Sequence, residues 1–167
     1  RPELQRLLEF CTVHPADGVC RPQQEAATHT LQARQQAAAS PRLQPYMAAA
    51  DHSRTIEGVR AVYLMAPAIV QAFAPAQLQA LRQPVSVVVG DGDAVAPPAT
   101  NGEGLAAQVP GATLQRLAGV GHYDFLARCT PLGEQRIGPL CSGPVPRAHT
   151  HRDAAQGAVA FFRHALR

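Results

Sequence analysis

The sequence predicts an α/β fold: a parallel, doubly wound sheet with helices on both faces. Three observations carry this. Short apolar runs with β-branched residues recur at 59–67, 84–90 and 112–119. Helix-like segments of about ten residues separate them, the alternation expected of a parallel sheet. Within each run the hydrophobicity is continuous rather than alternating, as in strands covered on both sides.

The opening residues read as helical and poorly amphipathic. "PELQRLLEF" is followed by "QQEAATHTLQARQQAAA", rich in Ala, Gln and Arg, until Pro41 and Pro45 break the pattern. "VRAVYLMAP", bounded by Gly58 and Pro67, reads as the first strand. A helical "APAQLQALRQ" leads into the second strand, "PVSVVVG", and a helical "TNGEGLAAQV" leads into the third, "ATLQRLAG". "DAAQGAVAFFRHALR" closes the sequence as an amphipathic helix with Ala158, Phe161, Phe162 and Leu166 on one side. The expected strands, 59–66, 84–90 and 112–117, should lie parallel and adjacent in chain order. Helices near 76–82, 100–109 and 152–166 should flank them.

Length and composition bound the function. The 167 residues, 46% of them hydrophobic, suffice for a single core. Net charge is +3, and the 15 cationic residues are thinly spread arginines, which argues against a nucleic-acid surface. No apolar segment reaches the roughly 18 residues of a membrane span. "RPELQRLLEF" has no signal-peptide core and reads as an interior position of a longer protein. The four cysteines fall as two local pairs, neither spaced as CxxC. Disulfides Cys11–Cys20 and Cys129–Cys141, each closing an irregular Pro/Gly-rich stretch, are preferred over free thiols. Such bridges imply an oxidising compartment, periplasmic or secreted.

The chemistry is expected where strands end. In open α/β sheets, sites form just beyond the carboxyl ends of the strands. "VSVVVGDGDAVAPP" places Asp91 and Asp93 there after the second strand, and "AGVGHYDF" places His122 there after the third. A carboxylate facing one ring nitrogen of a histidine fixes its tautomer and leaves the other nitrogen as a general base. The alternatives are a turn or helix-capping role for Asp93 and a loop histidine at 122. Asp124 reads as a loop anchor.

"VVVGDGDAVAPP" followed by "GATLQRLAGVGHYDF" resembles the acid and histidine segments of α/β-hydrolases, where G-x-x-D-x-x-x-P precedes G-H by one strand–helix–strand unit. With "VRAVYLMAPA", the entry through Cys11 and the closing "AVAFFRHAL", nearly the whole chain resembles the carboxyl-terminal part of predicted dienelactone hydrolases akin to platelet-activating-factor acetylhydrolases. The resemblance implies a partial α/β-hydrolase fold, with residues 1–55 a helical lid segment and 56–167 the carboxyl-terminal half of the core. It implies Asp93 as the acid and His122 as the base of a serine hydrolase for small esters or lactones, without a cofactor; Asp91 reads as a turn residue, with the acid as its alternative role.

One member of that triad is missing. The four serines, Ser40, Ser53, Ser86 and Ser142, and the four cysteines lack the G-x-S-x-G setting of a nucleophile elbow. In the family's chain order the nucleophile would lie upstream of Arg1, together with half of the oxyanion hole. The chain alone is therefore expected to be inactive, and its first strand, uncovered, is expected to form a homodimer edge. A non-catalytic binding module with hydrolase-like strands is the alternative. His149 and His151 in "RAHTHRD" read as a solvated loop rather than a metal site. "DGDAVAPP" lacks the polar ligand and glycine of a calcium loop.

Overall fold

The computed structural model describes residues 3–50, 52 and 56–167. Three parallel strands, β1 (Val62–Met65), β2 (Val85–Gly90) and β3 (Thr113–Leu117), form one sheet in the order β1-β2-β3. Val62 pairs with Val85 and Met65 with Val88, while Ser86 pairs with Thr113 and Gly90 with Leu117. The expected strands, their direction and their order are all present, with the first beginning three residues later than its apolar run.

β2 is buried over its whole length because it has a neighbour on each side and cover on both faces. Alternate side chains of a strand point to opposite faces. Val85, Val87 and Val89 accordingly pack with Val70, Leu78, Leu105 and Val109, on the side of α4 (Pro75–Gln79) and α5 (Gly102–Gln108). Val88 packs on the other face with Leu117 and Val120, flanked by Tyr63, Phe125 and Val145. α7 (Arg147–Ala165) covers that face, stacking Phe161 and Phe162 within 6.0 and 6.4 Å of the Tyr63 ring.

Before the sheet come α1 (Leu4–Val13), α2 (Leu31–Ala39) and α3 (Gln44–Ala50). The long helical stretch expected across 23–39 is divided. A 3₁₀ turn spans Gln24–Ala26, and α2 starts only after Thr30, whose hydroxyl accepts from Ala33 N at 3.1 Å. α2 buries no residue, in keeping with its lack of an apolar stripe. Arg34 ties it down by donating to the carbonyls of Val19, Arg21 and His29. The expected boundary at residue 55 lies outside the described residues, as do Arg1 and Ser53.

Two expectations for the later chain are corrected. The stretch between Cys129 and Cys141 is not irregular: it holds α6 (Pro131–Cys141). Thr130 caps that helix, accepting from Gly133 N at 3.2 Å, and Pro131 sits at its first position, both ordinary helix-start chemistry. Pro139 and the non-helical Ile137 then kink it. The second correction concerns "RAHTHRD", which is not a loop but the start of α7. Both disulfides form as paired by spacing, Cys11–Cys20 and Cys129–Cys141, with Cα separations of 5.2 and 5.7 Å. They fit a protein of an oxidising compartment. No helix among the described residues is long and apolar enough to cross a membrane.

Candidate acid–histidine site

The site is built where β2 and β3 end. Backbone bonds run between the two following loops: Asp91 N donates to Leu117 O and Gly92 N to Val120 O, both at 3.1 Å. The carboxylate of Asp91 adds a third tie, accepting from Gly119 N at 2.6 Å. Asp91 is thus a turn residue that laces the loops together.

Asp93 lies just beyond, 4% exposed. Its Oδ1 accepts from Val95 N at 2.9 Å and Ala96 N at 2.7 Å, closing the turn that precedes Pro97. Its Oδ2 stands 2.8 Å from His122 Nδ1. The turn role and the pairing with histidine, alternatives in the sequence, are therefore both filled, one by each oxygen. An ionised carboxylate only accepts, so the proton on this bond belongs to Nδ1, and Nε2 of the neutral ring is left with its lone pair. Nε2 makes no hydrogen bond among the described residues. The His122 side chain keeps 23% of its surface exposed. The site can accordingly hold a histidine in one orientation and one tautomer, with a basic nitrogen open to a proton donor.

His122 opens a 3₁₀ turn, His122–Phe125. Asp124, buried in that turn, accepts from Gly121 N at 2.8 Å and anchors it, as expected. Tyr123 donates to Glu25 Oε2 at 2.6 Å, bridging to the opening segment. Burial, followed by the bond to Glu25 and the charges of Glu25 and Asp93, pushes the Tyr123 hydroxyl up to about 12. The same hydrogen bond holds the Glu25 carboxyl below its ordinary range.

The opening segment reaches the acid loop as well. Cys11, Val19 and Cys20 form a buried cluster with Ala96. Gly18 lies so close to the Ala94 and Val95 carbonyls and Pro97 that a Cβ there would collide with them. Thr100 Oγ1 donates to Asp17 Oδ2 at 2.7 Å. The Cys11–Cys20 loop therefore backs the turn that holds Asp93.

Among the described residues, no hydroxyl or thiol hydrogen-bonds Nε2. Ser86 is buried within β2, Ser142 follows α6 on the surface, and all four cysteines are in disulfides. Glu134 lies near the sulfurs of Cys129 and Cys141, but a disulfide offers no thiolate to a metal. His151 Nε2 donates to Leu126 O at 2.8 Å, and two positions apart on a helix His149 and His151 face different ways. An open apolar groove of about 530 Å³ runs beside the site, between β1, the His122 turn and α7, lined by Tyr63, Met65, Phe125, Ala154, Ala158 and Phe162.

Asp93 and His122, named by their places at strand ends, are brought together. Glu25, Tyr123 and Asp17 were not legible as site residues, because their partners lie 98 or 83 positions away in the chain. The site defines a carboxylate–histidine pair on a parallel sheet. No family model matches the sequence, and no curated protein matches it.

Proposed function

We propose that the chain supplies the acid and the base of a serine hydrolase acting on small carboxylic esters or lactones, with the nucleophile contributed by residues outside this sequence. The observation that carries this reading is the 2.8 Å bond from His122 Nδ1 to buried Asp93, formed across the ends of adjacent parallel strands. The strand-end G-x-x-D-x-x-x-P and G-H segments that resemble α/β-hydrolases support it. In this mechanism Nε2 takes the proton of a serine hydroxyl as it attacks the ester carbonyl. Asp93 holds the ring and stabilises the imidazolium, and the proton passes to the leaving alkoxide. Residues 3–50, docked on the acid loop and on Tyr123, would then form one wall or lid of the substrate site. The uncovered β1 and the apolar groove beside it would receive the elements that carry the nucleophile. Such an enzyme would work in the periplasm or outside the cell.

Ester turnover by the nucleophile-bearing protein, measured with Asp93→Asn and Asp91→Asn variants, tests the reading. Asp93→Asn should keep the fold and lower turnover by about 10⁴, since an amide cannot hold the required tautomer. Asp91→Asn should do much less. Near-wild-type turnover of Asp93→Asn would sink the proposal. The open Nε2 and the apolar groove favour a second reading, a binding module without catalysis. That reading gains if no ester turnover is found in any longer form of the protein.

A further inference from the structure

Arg147 is buried to 7% exposure, at the first position of α7, and no feature of the sequence singles it out. Its guanidinium is the hub of the segment between His122 and α7. One terminal nitrogen donates to Ala127 O at 2.8 Å and approaches Cys129 Sγ at 3.8 Å; the other donates to Leu140 O. Its Nε has no hydrogen-bond partner and faces Asp124 Oδ1 at 4.0 Å. The other oxygen of Asp124 accepts from Gly121 N, the residue immediately before His122. Gly143 packs against this carboxylate so closely that any Cβ would overlap it. A continuous chain thus runs from α7 through Arg147 and Asp124 to the backbone that carries the His122 ring.

We propose that Arg147, through Asp124, is a positioning residue that holds His122 in register with Asp93. The physical reason is the cost of a buried charge. Asp124 and Arg147 are each stable in the interior only in the other's presence, so the His122 turn cannot shift without separating them. The planar fork of a guanidinium donates to two separated carbonyls while its Nε lies 4.0 Å from the carboxylate, a spread that the compact head of a lysine does not match. Groups that orient a functional histidine from behind matter as the ring's own partner does. The proposal rests on Asp93 and His122 being the acid–base pair.

The test reads the ring itself. In the chain labelled with ¹⁵N-histidine, the His122 Nδ1–H resonance and its exchange with water report the bond to Asp93. Arg147→Met, close in volume but without donors, should speed that exchange by roughly tenfold or more, the factor expected when one buried partner is lost. Arg147→Lys should not restore it. Leu78→Ala, a core change on the opposite face of the sheet, should lower the melting temperature and leave the exchange as in wild type. If Arg147→Met does not fold, Gly143→Ala serves, pressing directly on the Asp124 carboxylate. Wild-type exchange in the folded Arg147→Met or Gly143→Ala chain overturns the proposal, as does an equal acceleration in Leu78→Ala. Failure of the hydrolase reading would show separately, as undiminished ester turnover in Asp93→Asn.

Discussion

At the scale of single residues, the two oxygens of Asp93 divide two tasks. Oδ1 fixes the backbone of its own turn through Val95 N and Ala96 N, so that Oδ2 meets His122 from a rigid base. The Tyr123–Glu25 bond is an exposed link of the site, and its titration gives its contribution a sign. Tyr123 is raised, so its share of stability is complete below the ordinary tyrosine range near 10 and is lost as pH climbs through about 12. Glu25 is lowered, so its share is present above the ordinary value of 4.5 and is lost as pH falls through its depressed folded value. Ring-carbon NMR of Tyr123 should find ionisation near 12, and Glu25→Gln should bring it down only in part, because burial is the larger cause. An unchanged Tyr123 titration in Glu25→Gln would show that the bond at 2.6 Å does not persist in solution.

At the scale of elements, the two disulfides stiffen the two loops on which the site depends. Cys11–Cys20 closes the loop whose Gly18 and Val19 back the Asp93 turn, and Cys129–Cys141 brackets α6 beside the His122 turn. Sequence separations of 9 and 12 residues mean that each bridge restricts a short loop of the unfolded chain. The expected stabilisation is roughly 2–3 kcal/mol apiece. Replacing Cys11 and Cys20 together by Ala should therefore lower the melting temperature by roughly 4–12 °C. It should also loosen the Val95 and Ala96 amides that bind Asp93, seen as faster hydrogen exchange there than along β2. Exchange that rises equally in β2 would mean that the bridge stabilises the fold at large and not the acid turn. Non-reducing peptide mapping should recover both pairs uncrossed.

At the scale of the molecule, the sheet is buried at its centre and exposed at its margins, β1 on one side and β3, exposed over Thr113–Arg116, on the other. β2 is wholly buried, whereas among the described residues β1 is an edge strand, four residues long, with Met65 53% exposed beside the apolar groove. Edge strands with apolar surroundings pair readily with other chains. We expect the isolated chain to self-associate through β1, and Met65→Lys, which sets a charge at that edge, to restore the monomer. Sedimentation velocity decides: a wild-type chain that stays monomeric at roughly 100 µM, a concentration at which micromolar edge pairing would be complete, removes the basis for that interface.

The sequence by itself determined the sheet and the pair upon it. Apolar runs separated by helical segments, continuous in the first two strands and interrupted by Gln115 and Arg116 in the exposed third, point to parallel strands in chain order, and strand ends bring Asp93 and His122 to one side because that is where such chains turn. Local spacing was also enough for the disulfides, whose partners lie within a dozen residues. The resemblance pointed to Asp93 rather than Asp91, and only the tertiary structure shows how two aspartates two positions apart are separated: the loop path sends Asp91 to Gly119 and Asp93 to His122. The tertiary structure alone decided that Glu25 meets Tyr123 and that Arg147 meets Asp124. Those contacts join segments far apart in the chain, and nothing in the composition of either segment encodes where the other comes to rest. The helix across 131–141 belongs to the same class: its glycines and prolines read as loop, and what favours helix there is the Thr130 cap together with the bridge from Cys129 to Cys141.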